Sequence, residues 1–110
     1  MRKIPLELLK DILSDPYYKT CCRADEGDCD GRITLEHVFI YAGRQINEKW
    51  AIIPLCLRHH SIFPYQDNGL LDKRKNELIS LNRATDSEMN RYSKIINLKK
   101  RRDYLRELYG

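Results

Sequence analysis

Five potential metal donors, Cys21, Cys22, Cys29, Cys56 and His59, constrain this chain more than any other feature of its sequence. Three of them fall in TCCRADEGDCDG, a polar stretch rich in turn formers, where a cysteine has no apolar pocket to retreat into. The segment CLRH, residues 56–59, is a C-x-x-H knuckle that sets two donors one turn apart. Thiolate and imidazole donors so arranged suit a tetrahedral zinc ion with a structural role. The upstream half is less regular: six residues separate Cys22 from Cys29, and the doublet leaves the first ligand open between Cys21 and Cys22. The competing reading is that the cysteines are small buried hydrophobes, as free cysteine commonly is. An ion would hold this loop where apolar burial cannot, and a chain of 110 residues, enough for one domain, has only a small core to rely on.

Composition bears on compartment and partner. No stretch approaches the roughly 20 apolar residues that a bilayer span needs. Residues 1–15 interrupt their apolar positions with Glu7, Lys10 and Asp11, unlike a secretory signal. The expected location is therefore cytoplasmic, where a reducing environment favours cysteines as metal ligands over a disulfide framework. The net charge of +4 is unevenly placed: residues 70–110 hold 11 basic and 6 acidic side chains, against 9 and 10 in residues 1–69. A basic excess confined to the last third is expected of a segment that faces a polyanion. Membrane proteins, secreted cystine knots, coiled coils and disordered tails do not fit these properties.

Hydrophobic periodicity gives the element order. Ile4, Leu8 and Ile12 recur every four residues around Pro5, predicting an amphipathic helix that Asp15-Pro16 ends. RITLEHVFI predicts a strand with Ile33, Leu35 and Phe39 on alternating positions, and WAIIPLC a second strand whose edge or end Pro54 marks. Between them, YAGRQINEK is too long for a two-residue turn and predicts an ordered loop over the strands. LCLRHHSIF predicts a short helix closed by Pro64 and the YQDNG turn, and LLDKRKNELISLN another with Leu71, Leu78 and Leu81 on one side. TDSE, residues 85–88, is a capping box expected to open one final helix carrying the charge run and an apolar side of Ile95, Leu98, Leu105 and Leu108.

Glu36 and His37 close the first strand, Asn47 lies in the loop, and His59 and His60 sit in the short helix. With these residues, GRITLEHVFIYAGRQINEKWAIIPLCLRHH resembles the HNH endonucleases with a ββα-metal fold, especially the small phage and prophage forms braced by a Cys/His zinc site. The likeness covers residues 21 to about 63: an acid-His pair, a loop asparagine, and PLC followed two residues later by HH stand in the family's order and spacing. It implies an α+β protein with residues 1–110 as one HNH domain: an N-terminal helix in 1–15, a zinc-braced core of two-stranded hairpin and helix in 21–63, and a basic helical part in 70–110. It further implies a metal-dependent DNA endonuclease of a bacterial or phage-infected cell. His37 would be the general base, Asn47 would orient it, and Glu36 with His60 would hold one catalytic Mg2+ or Mn2+. The chain departs from the pattern at Ala51, where relatives usually carry the asparagine, and at Pro64, where some carry a further histidine.

Those residue types suit the chemistry on their own terms. A histidine is neutral enough near pH 7 to accept a proton from water, and one hard cation can stabilise both the pentacovalent phosphate and the leaving 3′ oxygen. Adjacent strand residues point to opposite faces, so Glu36 and His37 reach one phosphate only if the strand end twists or bulges. Arg91, Lys94, Lys99, Lys100, Arg101, Arg102 and Arg106 crowd the last helix. Lys99, Lys100, Arg101 and Arg102, together with Arg44 in the loop, are the candidate DNA contacts, with a solvated helix face as the bland alternative. Gly43 would let the backbone approach DNA closely, while Trp50 and Tyr41 read as core and hinge packing. One base and one cation serve one phosphate, which predicts nicking by a monomer, with a dimer as the alternative state. Two rival functions are a zinc-braced, non-catalytic DNA-binding module and a protein-interaction domain in which zinc replaces a core. Glu36, His37 and His60 argue against the first, and the basic helix against the second.

Overall fold

The structure, a computed structural model, describes residues 4–27, 29–41, 43–61 and 69–109, with the backbone alone at residues 60, 61 and 69–72. Pro5 precedes the first helix, α1 (Leu6–Ser14), and its carbonyl accepts the Leu9 N–H at 2.9 Å. The expected inward face is present: Ile12 is fully buried, and Ile4 and Leu8 pack beside it against Tyr18 and Ile52. Asp15 leaves the helix with extended backbone, and its carboxylate accepts from the Tyr17 N–H at 2.9 Å to open a 3-10 turn, Pro16–Lys19.

β1 (Ile33–His37) pairs antiparallel with a later strand through a short hairpin of β2 (Ile40–Tyr41) and β3 (Arg44–Gln45). That later strand, β4 (Ile52–Cys56), runs from Ile33 opposite Cys56 to His37 opposite Ile52. Pro54 sits mid-strand with its backbone directed away from β1; its carbonyl accepts from the Cys22 N–H at 2.9 Å and ties the cysteine loop to the sheet edge. Proline is tolerated there because a two-stranded sheet has no interior strand. Alternation gives each face its own partner: Ile52 and Leu35 meet Ile12 and Tyr18, while Ile53 and Leu55 pack with Ile79.

The β1 to β4 connection is more structured than a covering loop. Its hairpin closes through two residues, and Gly43 adopts φ 77° there. A Cβ at Gly43 would meet nothing within 4 Å, so left-handed backbone, and not close approach to a neighbour, is the reason for this glycine. Phe39 lies beyond the strand and, with Ile46, Trp50 and Ala51, joins the largest core.

α2 (Leu57–Ser61) follows β4 directly. Gly31, at φ 82°, makes room for its first residue, since a Cβ there would lie 2.9 Å from the Leu57 Cβ. Pro64 and the YQDNG turn fall outside the described residues. α3 (Gly69–Arg83) buries Leu81 fully and Leu78 partly, and Ser80 Oγ donates to the Trp50 carbonyl at 2.7 Å; Leu71 lies where the backbone alone is described.

The single final helix expected from TDSE is two helices. The Thr85 capping box opens α4 (Asp86–Asn90), and α5 (Leu98–Tyr109) starts afresh where the Asn97 side chain accepts from the Lys100 N–H at 3.0 Å. A short polar side chain that bonds its own backbone favours a cap over helix interior, which is the physical reason for the break. The restart narrows the apolar side: Leu98 and Leu105 are buried, whereas Ile95 and Leu108 are 65% and 48% exposed. Full burial of each leucine stabilises α5 by about 1.5–3 kcal/mol. Met89, Leu81, Ala84, Trp50 and Phe39 complete this core. No described helix is long and apolar enough to cross a membrane.

Candidate metal centre and adjacent histidine

The sulfur atoms of Cys21, Cys29 and Cys56 and a ring nitrogen of His59 all lie within 4.8 Å of one another. His59 Nδ1 stands 3.1 Å from Cys56 Sγ, 3.4 Å from Cys21 Sγ and 3.7 Å from Cys29 Sγ. Tetrahedral zinc with Zn–S near 2.3 Å and Zn–N near 2.0–2.1 Å requires S···N separations of about 3.6 Å. These four side chains are close enough to bind one metal ion, and the set is consistent with zinc. The knuckle forms because α2 begins at the residue after Cys56, which brings His59 back one turn toward it.

The doublet is resolved in favour of Cys21. Cys22 is tied to the outer edge of β4 by its N–H bond to the Pro54 carbonyl. Cys21 turns inward among Ile53, Leu55 and Cys56, while Cys22 shares a hydrogen bond with Tyr17. Burial, reinforced by the adjacent Cys21, pushes the Cys22 thiol up to about 12. Cys56 goes the other way: burial opposes its thiolate, but N–H donation from His59 and Asp30, with the His59 ring, brings it down to about 6.

Within the cysteine loop, Arg23 is 2% exposed and grips Glu26 through two bonds of 2.7 Å. The Arg23 hydrogen bond holds the Glu26 carboxyl below its ordinary range, so the loop has a polar brace besides any metal. The 3-10 turn Ala24–Glu26 makes this i, i+3 pair possible.

His37 is half-buried at the end of β1 remote from the cluster, four residues along the ladder from the Cys56 position, or about 13 Å at about 3.3 Å per residue. Its Nε2 is 2.8 Å from Asn47 Oδ1. An amide oxygen only accepts, so this contact calls for a proton on Nε2; in the neutral ring with that tautomer, Nδ1 carries the lone pair. Glu36 does not share this face: the register runs one-to-one through Glu36 opposite Ile53 and His37 opposite Ile52, without the bulge that would turn both toward one phosphate. His60 lies in α2 after His59, at a position where the backbone alone is described.

The basic candidates divide. Arg44 is exposed on β3 and Lys100 is exposed on α5. Lys99 lies 3.5 Å and Arg102 3.7 Å from Asp86 carboxylate oxygens, and Arg101 binds Glu77 at 2.8 Å. Part of the KKRR run therefore docks α5 onto α3 and α4.

The chain matches no family model, no curated protein and no solved structure. What it does must be read from its own side chains.

One group went unseen in the sequence. Glu48, next to Asn47, accepts from Arg91 Nη1 at 2.7 Å and from the Tyr92 hydroxyl. These partners are 43 and 44 residues away and share no local spacing, so only the packing of the C-terminal helices reveals them.

Proposed function

We propose that this protein is a metal-dependent DNA endonuclease of the HNH kind, with a structural zinc on Cys21, Cys29, Cys56 and His59 and with His37 as general base. The observation that carries this reading is the 2.8 Å hydrogen bond from His37 Nε2 to Asn47 Oδ1. In the neutral ring this bond favours the tautomer that leaves Nδ1 to take a proton, which is what a base acting on water needs. Nδ1 would accept the water proton as the hydroxide attacks phosphorus and the bond to the 3′ oxygen breaks. A divalent Mg2+ or Mn2+, when bound, would stabilise the phosphorane charge and the leaving oxygen. The resemblance supplies Glu36 and His60 as the cation ligands, but the regular register turns Glu36 to the face opposite His37, so the histidine–asparagine pair and not Glu36 carries this reading. Arg44 and Lys100 are the exposed members of the candidate DNA contacts and would meet phosphates. A zinc-braced DNA-binding module without catalysis would use the same cations but has no need of an oriented imidazole.

Agarose gels of supercoiled plasmid test this reading. Open circles should appear in magnesium or manganese before any linear form, and none in a chelator. Linear DNA without an open-circle precursor would refute one-strand nicking, and intact plasmid throughout would refute the nuclease.

A further inference from the structure

The pair His37–Asn47 is only as rigid as the segment that carries Asn47. That residue is exposed and lies between β3 and the 3-10 turn Lys49–Ala51, in a stretch with no regular ladder of its own. Glu48 anchors it. Its carbonyl accepts the Ala51 N–H at 2.9 Å, and its side chain, 17% exposed, is held on both oxygens: Oε1 by Arg91 at 2.7 Å and Oε2 by the Tyr92 hydroxyl. Two donors on one carboxylate fix its plane as well as its position. Both come from the residues that immediately follow α4, and Tyr92 is itself set against Trp50 with ring centroids 6.2 Å apart at 67°. Trp50 in turn is fixed to α3 through Ser80. The residues after α4, with α3, therefore hold the stretch that directly follows Asn47.

We propose that Glu48, with Tyr92 and Arg91, is a positioning unit that fixes Asn47 and, through it, the tautomer and orientation of His37. This rests on the reading of His37 as a base for its meaning in catalysis, though not for its geometry. The unit touches no reacting atom; it makes the C-terminal part a component of the site in addition to a surface for polyanions. A purely architectural clamp would change stability and leave the His37 ring as it is.

The test uses the full-length, zinc-loaded chain and Tyr92→Phe, which removes one hydrogen bond but keeps the ring packed on Trp50. Ring 15N shifts of neutral His37 report which nitrogen carries the proton. Wild type should hold it on Nε2. Tyr92→Phe should lower the Nε2–H to Nδ1–H ratio about five-fold, the effect of one ordinary hydrogen bond. Glu48→Ala should lower it further, and Glu48→Gln, which still accepts from Tyr92, should restore most of it. Plasmid nicking should fall in parallel through kcat with KM unchanged. Unchanged His37 shifts in Tyr92→Phe and Glu48→Ala would overturn the proposal, whatever the melting temperatures do. Shifted spectra in a chain that cuts no DNA would uphold the positioning unit and remove the nuclease reading. A wild-type rate in both variants of a chain that does cut would overturn the positioning unit alone.

Discussion

Replacing Cys21 and Cys22 one at a time by serine separates a metal-braced loop from a loop of buried thiols. The two are neighbours of nearly equal size, yet Cys21 Sγ is 3.4 Å from His59 Nδ1 within the four-donor cluster while Cys22 faces Tyr17. Structural zinc in small domains binds with an apparent free energy on the order of 10 kcal/mol. That is comparable to the whole net stability of a domain, about 5–15 kcal/mol. Cys21→Ser takes one of four ligands from the ion and should release it, leaving the loop with the Arg23–Glu26 brace and backbone ties such as Cys22 to Pro54. Cys22→Ser loses a half-buried sulfur and one weak hydrogen bond, worth about 1 kcal/mol, or about 4–8 °C in a domain of this size. Elemental analysis of protein purified without added metal should give one zinc per chain for wild type and Cys22→Ser, and much less for Cys21→Ser. Its melting temperature should fall by tens of degrees or its cooperative transition disappear. Zinc lost from Cys22→Ser and kept by Cys21→Ser would refute the assignment, and a folded, zinc-free wild type would refute the metal centre itself.

The basic residues should part into two classes in a salt titration of DNA binding. Lys100→Ala should lower the salt slope by about 1 with the melting temperature unchanged, whereas Arg101→Ala, which strips Glu77 of its partner, should lower stability by about 1 kcal/mol or less. Alkaline pH should destabilise the fold: burial, then the Glu48 hydrogen bond, pushes Tyr92 from an ordinary 10.0 up to about 12, and burial pushes Tyr17 to about 12 as well. A folded-state value above the unfolded one means stability fully present below pH 10 and lost as the pH rises toward about 12, which denaturant melts across that window check; Tyr92→Phe should flatten part of the loss.

What was legible in the sequence follows from what is local. The i, i+4 apolar row of Ile4, Leu8 and Ile12, the strand alternation of Ile33 and Leu35, and the Thr85 to Glu88 capping box each span a turn or two, and all three appear. The metal donors were legible because a polar loop gives cysteines no other refuge, but the choice of Cys21 required the bond from Cys22 to Pro54, made across 32 residues of sequence. The small hairpin around Gly43 was hidden because two-residue strands carry no alternation to detect. The division of the last helix was hidden for a different reason: Asn97 reads as an ordinary polar position in a charged helix, and only its bond to Lys100 shows it to be a cap. Long-range polar contacts, Glu48 with Arg91 and Tyr92 foremost, leave no periodic trace at all.

The central claim, that His37 is a base held ready by Asn47, is tested most directly by comparing wild type with His37→Ala in a plasmid cleavage time course with magnesium or manganese. The two proteins should show equal zinc content and equal DNA affinity, because the exposed cations and the metal cluster are untouched. Wild type should convert supercoiled plasmid to open circle, and His37→Ala should be slower by about 100-fold or more, the usual contribution of a general base. Cleavage by His37→Ala at the wild-type rate would contradict the account.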